Sequence, residues 1–274
     1  MSSRAMSIIA VLAIIACIDS MGVADTVIFQ EGEINLLTSS TYIGTEDNTI
    51  IKLTSGSAHV DYNYGVYHHF SVGSNGTTIL RKALMRFDLS SLDGKYASID
   101  SVKLKLHVLT DPGPNVDVSF ANTLELYRLT DVNGDWVEGS QVTGGIENGA
   151  SCWNYRQYNT KPWDSGVGGT SAADYNGPAI ASLGFGPTNP TGWLELDFND
   201  VSFIGNWVVG NNPGMVLRVT NEATNSLISF EHSEHASALL HPQLVINYTP
   251  VPEPGSLALL LSVFTAIYMI RRKH

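Results

Sequence analysis

Cysteine is nearly absent: the 274 residues contain two, Cys17 and Cys152. A disulfide-stapled framework is therefore excluded, and a stable fold must rest on its apolar core. Basic residues are also scarce, with 15 Lys and Arg against 26 Asp and Glu and a formal net charge of −11. That sign argues against nucleic acid and anionic lipid as partners, because both are themselves polyanions. The catalytic signatures that spacing alone reveals are missing too. There is no G-x-S-x-G elbow, no Walker loop, no dinucleotide fingerprint and no H-E-x-x-H helix motif. No internal repeat marks a propeller or solenoid. Long uncharged apolar runs occur only at the two ends of the chain.

The N-terminal end has the three parts of an export signal. Arg4 supplies a positive start, Ser7 to Ala16 is an uncharged, mostly apolar stretch, and Gly22-Val23-Ala24 offers a small-residue cleavage pattern. Cleavage after Ala24 leaves Asp25 as the mature N-terminus. Two alternatives stand beside it. Ile14-Ile15-Ala16-Cys17 resembles a lipobox that would lipidate Cys17. A retained membrane helix is the other, although the run is short for a span of roughly 20 residues. With residues 1–24 removed, Cys152 is the only cysteine left, and beside Trp153 it reads as a small buried hydrophobe rather than a nucleophile.

At the other end, Val251-Pro252-Glu253-Pro254-Gly255 precedes an uncharged apolar run from Ser256 to Ile270, closed by Arg271-Arg272-Lys273-His274. A short hydrophobic span with a basic stop places the preceding domain outside the membrane. The Pro-Glu-Pro triplet cannot continue a helix and presents an extended backbone. Residues 251–274 resemble the PEP-CTERM sorting tail, with motif, span and basic end in order. The resemblance implies an exosortase-type processing enzyme as partner, transient anchoring in the inner membrane, and delivery to the cell surface or extracellular matrix. An ordinary C-terminal anchor is the alternative.

Between the two signals, residues 25–250 carry 24 Asp and Glu against 11 Lys and Arg, a formal charge of −13. Ser101 to Val108 alternates without a fault, directing Val102, Leu104, Leu106 and Val108 to one face and Lys103, Lys105 and His107 to the other. Trp193 to Phe198 alternates likewise, with Leu194, Leu196 and Phe198 inward. Gly214 to Val219 and Leu244 to Tyr248 read as late, mostly buried strands, and Ala83 to Leu89 and Leu124 to Leu129 as further ones. Only Val201 to Val208 has helical spacing. Many short strands separated by Gly, Pro, Asn and Asp predict an all-β fold, a single antiparallel β-sandwich or jelly roll.

The interval from Trp136 to Pro190 breaks this rhythm. It has few convincing strands but is rich in Gly, Asn, Ser and aromatic residues, which in a compact domain marks a structured functional loop. It holds Trp136-x-Glu138-Gly139, Gly149-Ala150 to Trp153, and Trp163 to Gly169. Upstream, Arg81-Lys82-Ala83-Leu84-Met85-Arg86-Phe87-Asp88-Leu89-Ser90-Ser91-Leu92 is similar to the "LxRFDLSSL" strand of DNRLRE-type domains. Pro242 to Tyr248 resembles their closing P-x-L-x-V-x-Y strand. This resemblance spans nearly all of residues 25–250 and implies a jelly-roll sandwich of the carbohydrate-binding-module type.

Indole and phenol rings stack on the apolar faces of sugars while amides and carboxylates bind hydroxyls. Tyr155, Tyr158 and Trp163 with Asn154, Arg156 and Asp164 form such a mixture, expected on one exposed patch. Packing of the long loop onto the core is the competing role for its tryptophans, and the favoured one for Trp136. A second aromatic group, Tyr62, Tyr64, Tyr67, His68 and His69, offers either an adhesive surface or hairpin packing. Tyr62, Tyr64 and His68 share a face there if the segment is extended.

Metal chemistry is weakly signalled. Glu231-His232-Ser233-Glu234-His235, with His241 nearby, has ligand types for zinc but places His232 and His235 on opposite faces if extended; it reads as a loop between the last two strands. Structural calcium is the one cofactor considered, with Asp131, Asn133 and Asp135 as candidate ligands. No cofactor is required by the sequence. Glu138, Glu195 and Asp197 could act as glycosidase acids only if the fold brought two of them to roughly 5–10 Å. Tyr67 with His68 or His69 is the place for a lyase base. The sequence thus predicts a non-catalytic, exported surface or matrix protein that binds extracellular polysaccharide. A carbohydrate-active lyase or hydrolase and a purely structural coat component are the alternatives.

Overall fold

The computed structural model describes residues 24–53, 59–76, 78–109, 117–118, 120–166, 168–188 and 190–252. The signal-peptide reading of residues 1–23 and the tail reading from Glu253 onward, Pro254, Arg271, Arg272 and Lys273 included, lie outside the described residues. Among the described residues no helix is long and apolar enough to cross a membrane.

The main strands are β1 (Asp25–Gln30), β2 (Thr45–Leu53), β3 (His69–Ser74), β4 (Ile79–Phe87), β5 (Tyr96–His107), β6 (Asp117–Val118), β7 (Asn122–Arg128), β8 (Ala181–Phe185), β9 (Trp193–Asp197), β10 (Met215–Val219), β11 (Ser226–Glu231) and β12 (Gln243–Pro250). The pairings are antiparallel and form two main sheets. One has the order β1-β12-β5-β9. The larger runs β8-β7-β10-β4-β3-β11-β6, and β2 pairs with β4 along its length, Thr45 opposite Phe87 through Leu53 opposite Ile79. A short helix, α1 (Ile204–Val208), lies between β9 and β10. Its position matches the one stretch of helical spacing in the sequence.

The two sheets enclose a common core. Val102, Leu104 and Leu106 of β5, Leu196 of β9, and Leu244 and Ile246 of β12 are fully buried with Phe70, Val72, Met85, Leu126, Leu217 and Phe230 of the larger sheet. Leu194 and Phe198 pack against this cluster, partly buried. Lys103 and Lys105 point away from it and pair with Glu195 at 2.6 and 3.3 Å. The period-2 reading of both strands is therefore correct in phase, which matters because a one-residue slip would bring those lysines inside.

The larger sheet is apolar on both faces. Ala83-Leu84-Met85 and Met215-Val216-Leu217 are buried at every residue. Odd-numbered members of each run face the first core, and Leu84 and Val216 face a second one. Such unbroken apolar runs belong to strands covered on two sides. The cover on the second side is the long interval after Trp136.

Candidate functional site

Trp136, Trp153, Trp163 and Tyr175 close over Ile50, Leu84, Leu129 and Val216 to form the second core. The interval from Trp136 to Tyr175 is thus an outer layer on the larger sheet, while Ala181–Phe185 beyond it joins that sheet as β8, and the aromatics of the layer divide by depth. Trp163 is 1% exposed, and its Nε1–H reaches the carbonyls of Cys152 and Trp153, each at 3.1 Å. This corrects the expectation of an exposed Trp163: its polar handle is satisfied by backbone inside the layer, so the whole ring can be withdrawn from water. Trp136 is buried as expected, its Nε1–H held by the Pro213 carbonyl at 3.0 Å. Cys152 is fully buried, and burial pushes its thiol up to about 11.

Tyr155 and Tyr158 are half-buried and meet edge to face at 5.5 Å. The polar residues expected beside them are spoken for. Asn154 donates to Asp61 at 3.1 Å, and Arg156 is held by Asp135 at 2.6 Å and by the Pro162 carbonyl at 2.7 Å. Asp164 is exposed, but next to the buried Trp163 it has no aromatic platform to complement. The six residues therefore do not form one stacking patch.

The calcium candidates also separate. Asn133 is fully buried; its amide donates to Asp174 and Thr130, both at 3.0 Å, and its Oδ1 accepts from the Asp164 backbone at 3.0 Å. Asp135 is neutralised by Arg156 and Lys161, both at 2.6 Å, which together hold its carboxyl below the usual range against a partial burial cost. Asp131 remains exposed. The turn is a side-chain hub that anchors the outer layer, with the oxygens of Asn133 and Asp135 engaged by protein donors. Glu195 and Asp197 lie on the smaller sheet with Lys103, so they do not pair with Glu138, which belongs to the outer layer.

The aromatic segment before β3 supplies a concavity instead. The segment is not extended: Tyr62–Asn63 pairs with Gly145–Ile146, then a turn closes with Tyr67 N–H donating to the Tyr64 carbonyl at 3.1 Å. Tyr62 packs on His59 at 4.4 Å, whereas Tyr64 turns toward Tyr67 at 6.2 Å. The turn brings Tyr67 within 4.4 Å of both His68 and His69. Tyr64, Tyr67 and His69 then line a cavity of about 90 Å³ with Thr49, Ile51, Ser71, Arg81 and Thr143.

Two features of this cavity stand out chemically. The Arg81 guanidinium donates to the Ser71 hydroxyl at 3.1 Å and has no carboxylate partner among the described residues; its Nε is buried without a hydrogen bond. His69 Nδ1 is also buried and unpartnered. Burial, with the neighbouring His68, Arg81 and His232, lowers the His69 pKa to about 4, so its ring is neutral. Burial raises the Tyr64 phenol above its ordinary value. Sequence reasoning named the tyrosines and histidines but not Arg81, Thr49 or Ser71. The available signal was the alternation His69-Phe70-Ser71-Val72, polar residues on one face of a strand whose other face is core.

Compared with protein-family models the chain matches none, and no curated protein matches it.

Proposed function

We propose that this chain is an exported, non-catalytic surface or matrix protein that binds polysaccharide through the Tyr64, Tyr67, His69 and Arg81 concavity. The reading is carried by one observation: a half-buried guanidinium without a carboxylate partner among the described residues, set beside aromatic rings in a concave surface. An unpaired cation is costly to desolvate, and a ligand carboxylate repays that cost through charge-assisted hydrogen bonds. Phenol and imidazole faces suit the apolar face of a pyranose. A largely neutral polysaccharide with sparse uronate groups combines both, whereas a densely charged one would be repelled by the net charge of −11. The sandwich core supports a jelly-roll scaffold of the carbohydrate-binding kind, and the ends support signal cleavage after Ala24 and exosortase-type processing near Pro252-Glu253-Pro254.

A glycan array with neutral and uronate-bearing polysaccharides tests the binding half. Tyr67→Ala and Arg81→Gln are each expected to weaken binding to the acidic members by roughly 1–3 kcal/mol, the scale of a lost stacking partner. Unchanged binding in both variants would remove the concavity from consideration. Intact-mass measurement on the surface fraction tests the export half: the protein should begin at Asp25 and end near Glu253 or Pro254. A species carrying the basic end would make the tail a plain anchor, and a lipidated Cys17 would overturn the N-terminal reading.

A lyase reading is favoured by the same Tyr, His and Arg set, since β-elimination from a uronate needs a base, an acid and a group to neutralise the carboxylate. The electrostatics weigh against it. A base is most effective when its pKa lies near the working pH, yet His69 is pushed down to about 4 and Tyr64 is pushed up. Accumulation of an unsaturated product absorbing in the ultraviolet, abolished by Tyr67→Phe or His69→Gln, would favour the lyase.

A further inference from the structure

Three segments distant in sequence meet at one buried point. Asp47 comes from β2, Glu138 from the outer layer, and His232 from the loop between β11 and β12. Asp47 and His232 are fully buried and Glu138 is half-buried, and one ligand atom from each lies within 4.8 Å of the other two. Asp47 Oδ1 is 3.0 Å from His232 Nδ1 and accepts the Ser233 hydroxyl at 2.6 Å. Glu138 Oε1 accepts the Asp47 backbone N–H at 2.6 Å.

His232 is hydrogen-bonded on its Nδ1 side, while its buried Nε2 has no partner among the described residues. The Glu234 backbone N–H donates to His232 Nδ1 at 3.3 Å, which requires a lone pair on that nitrogen. The same nitrogen then faces an oxygen of Asp47 across 3.0 Å, lone pair against lone pair. Placing the proton on Nδ1 instead strands the Glu234 N–H. It also leaves the buried Nε2, which has no partner, with a bare lone pair. A metal ion or a shared proton between Asp47 and His232 removes that repulsion, and either one takes the Nδ1 lone pair from the Glu234 N–H. No Lys or Arg is paired with Asp47 or Glu138 among the described residues.

We infer that Asp47, Glu138 and His232 form a binding site for a divalent transition-metal ion of the zinc class. One imidazole nitrogen with two carboxylate oxygens is a donor set suited to such an ion, whereas calcium sites are built from oxygen alone. Zinc ligands at about 2.0–2.2 Å from the metal stand roughly 3.3–3.5 Å from one another. The Asp47 and His232 atoms are already near that spacing, and a small rotation of the half-buried Glu138 completes three positions. Glu234 is exposed above the cluster, and Glu31 lies nearby, its pKa raised first by its own burial and then by the carboxyls of Glu234 and Asp47. These acids favour cation capture. Burial also pushes the Asp47 and Glu138 carboxyls up. In a chain with Cys152 as its sole cysteine after residue 24, such a tie between β2, the outer layer and the last loop does the work of a staple.

Zinc chloride titrated into purified, chelator-treated full-length protein tests the site. One Zn²⁺ per chain should be retained, with a melting temperature raised by several degrees, and Co²⁺ in its place should give the visible bands of a low-coordinate nitrogen and oxygen site. Asp47→Asn and His232→Gln should each lower Zn²⁺ affinity at least tenfold. If those variants fail to fold, the Co²⁺ spectrum of the wild type decides. Absence of retained zinc and of Co²⁺ bands would overturn the site and leave a shared proton as the bridge. Unchanged affinity in both variants, or stabilisation by Ca²⁺ but not Zn²⁺, would overturn it as well. None of these outcomes bears on glycan binding at Arg81.

Discussion

The Trp163 indole donates to the carbonyl of Trp153 at 3.1 Å, so two tryptophans of the outer layer are tied to each other through backbone. Both rings pack in the same apolar cluster on the larger sheet. Trp163→Ala is therefore expected to cost about 3–5 kcal/mol, the range for removing a large core aromatic. Trp163→Phe should cost less but still leave the Cys152 carbonyl short of a donor, about 1–2 kcal/mol, since the Trp153 carbonyl keeps the Gly169 N–H. Urea denaturation of the two variants checks this. A stable Trp163→Ala protein with altered glycan binding would return Trp163 to the surface.

Gly169 is the complement of Trp153. Its φ is +78°, and a Cβ at that position would overlap the Trp153 ring. Its N–H donates to the Trp153 carbonyl at 2.5 Å. Gly169→Ala meets both a left-handed backbone and a ring with no room to shift, and is expected to destabilise by about 1–3 kcal/mol. Gly166, at φ +66° with nothing near its Cβ position, is the control and should lose less under the same change. Equal losses at the two positions would mean that ring overlap contributes nothing.

His69 carries the pH dependence of the concavity. Burial, then His68, Arg81 and His232, depress its folded pKa to about 4, below the ordinary value of about 6.5. Unfolding therefore takes up a proton on this ring across that window. The stability contributed by neutral His69 is complete above about pH 6.5 and is lost as pH falls toward about 4. His69→Gln should flatten this part of the curve relative to wild type, read as the difference in urea midpoint from neutral to acidic pH. Parallel curves would show that His69 titrates normally.

Cys152 should behave as a packing residue. Its thiol is buried and pushed up to about 11, and the thiolate is the reactive form. Iodoacetamide at about pH 8 should leave the native protein unlabelled and label it in denaturant. Rapid native labelling, followed by mass spectrometry, would show an accessible thiolate.

Much of the framework was legible because it rests on local rules. The faultless alternation of Ser101 to Val108 and of Trp193 to Phe198 forces one face inward, and the structure buries Leu104 and Leu196 while exposing Glu195. The mostly buried reading of Gly214 to Val219 holds as well, with Met215-Val216-Leu217 buried at every residue. The reading of Glu231 to His235 as a loop between the last two strands holds from His232 onward, while Glu231 is the last residue of β11.

What the sequence could not decide is which aromatics face water and which polar groups meet. Trp163 and Tyr155 are separated by eight positions in one irregular stretch, where no period assigns a side. Only the docking of that stretch onto Leu84 and Val216 sends the indole inward and leaves the phenol half-covered. Asp47, Glu138 and His232 are about ninety residues apart in succession, and Arg81 reaches His69 only because β3 turns back on β4. Local propensity acts through neighbours a few residues away. Convergence over such separations is set by sheet order and layer packing, so the framework was written in the sequence and the sites were made by tertiary structure.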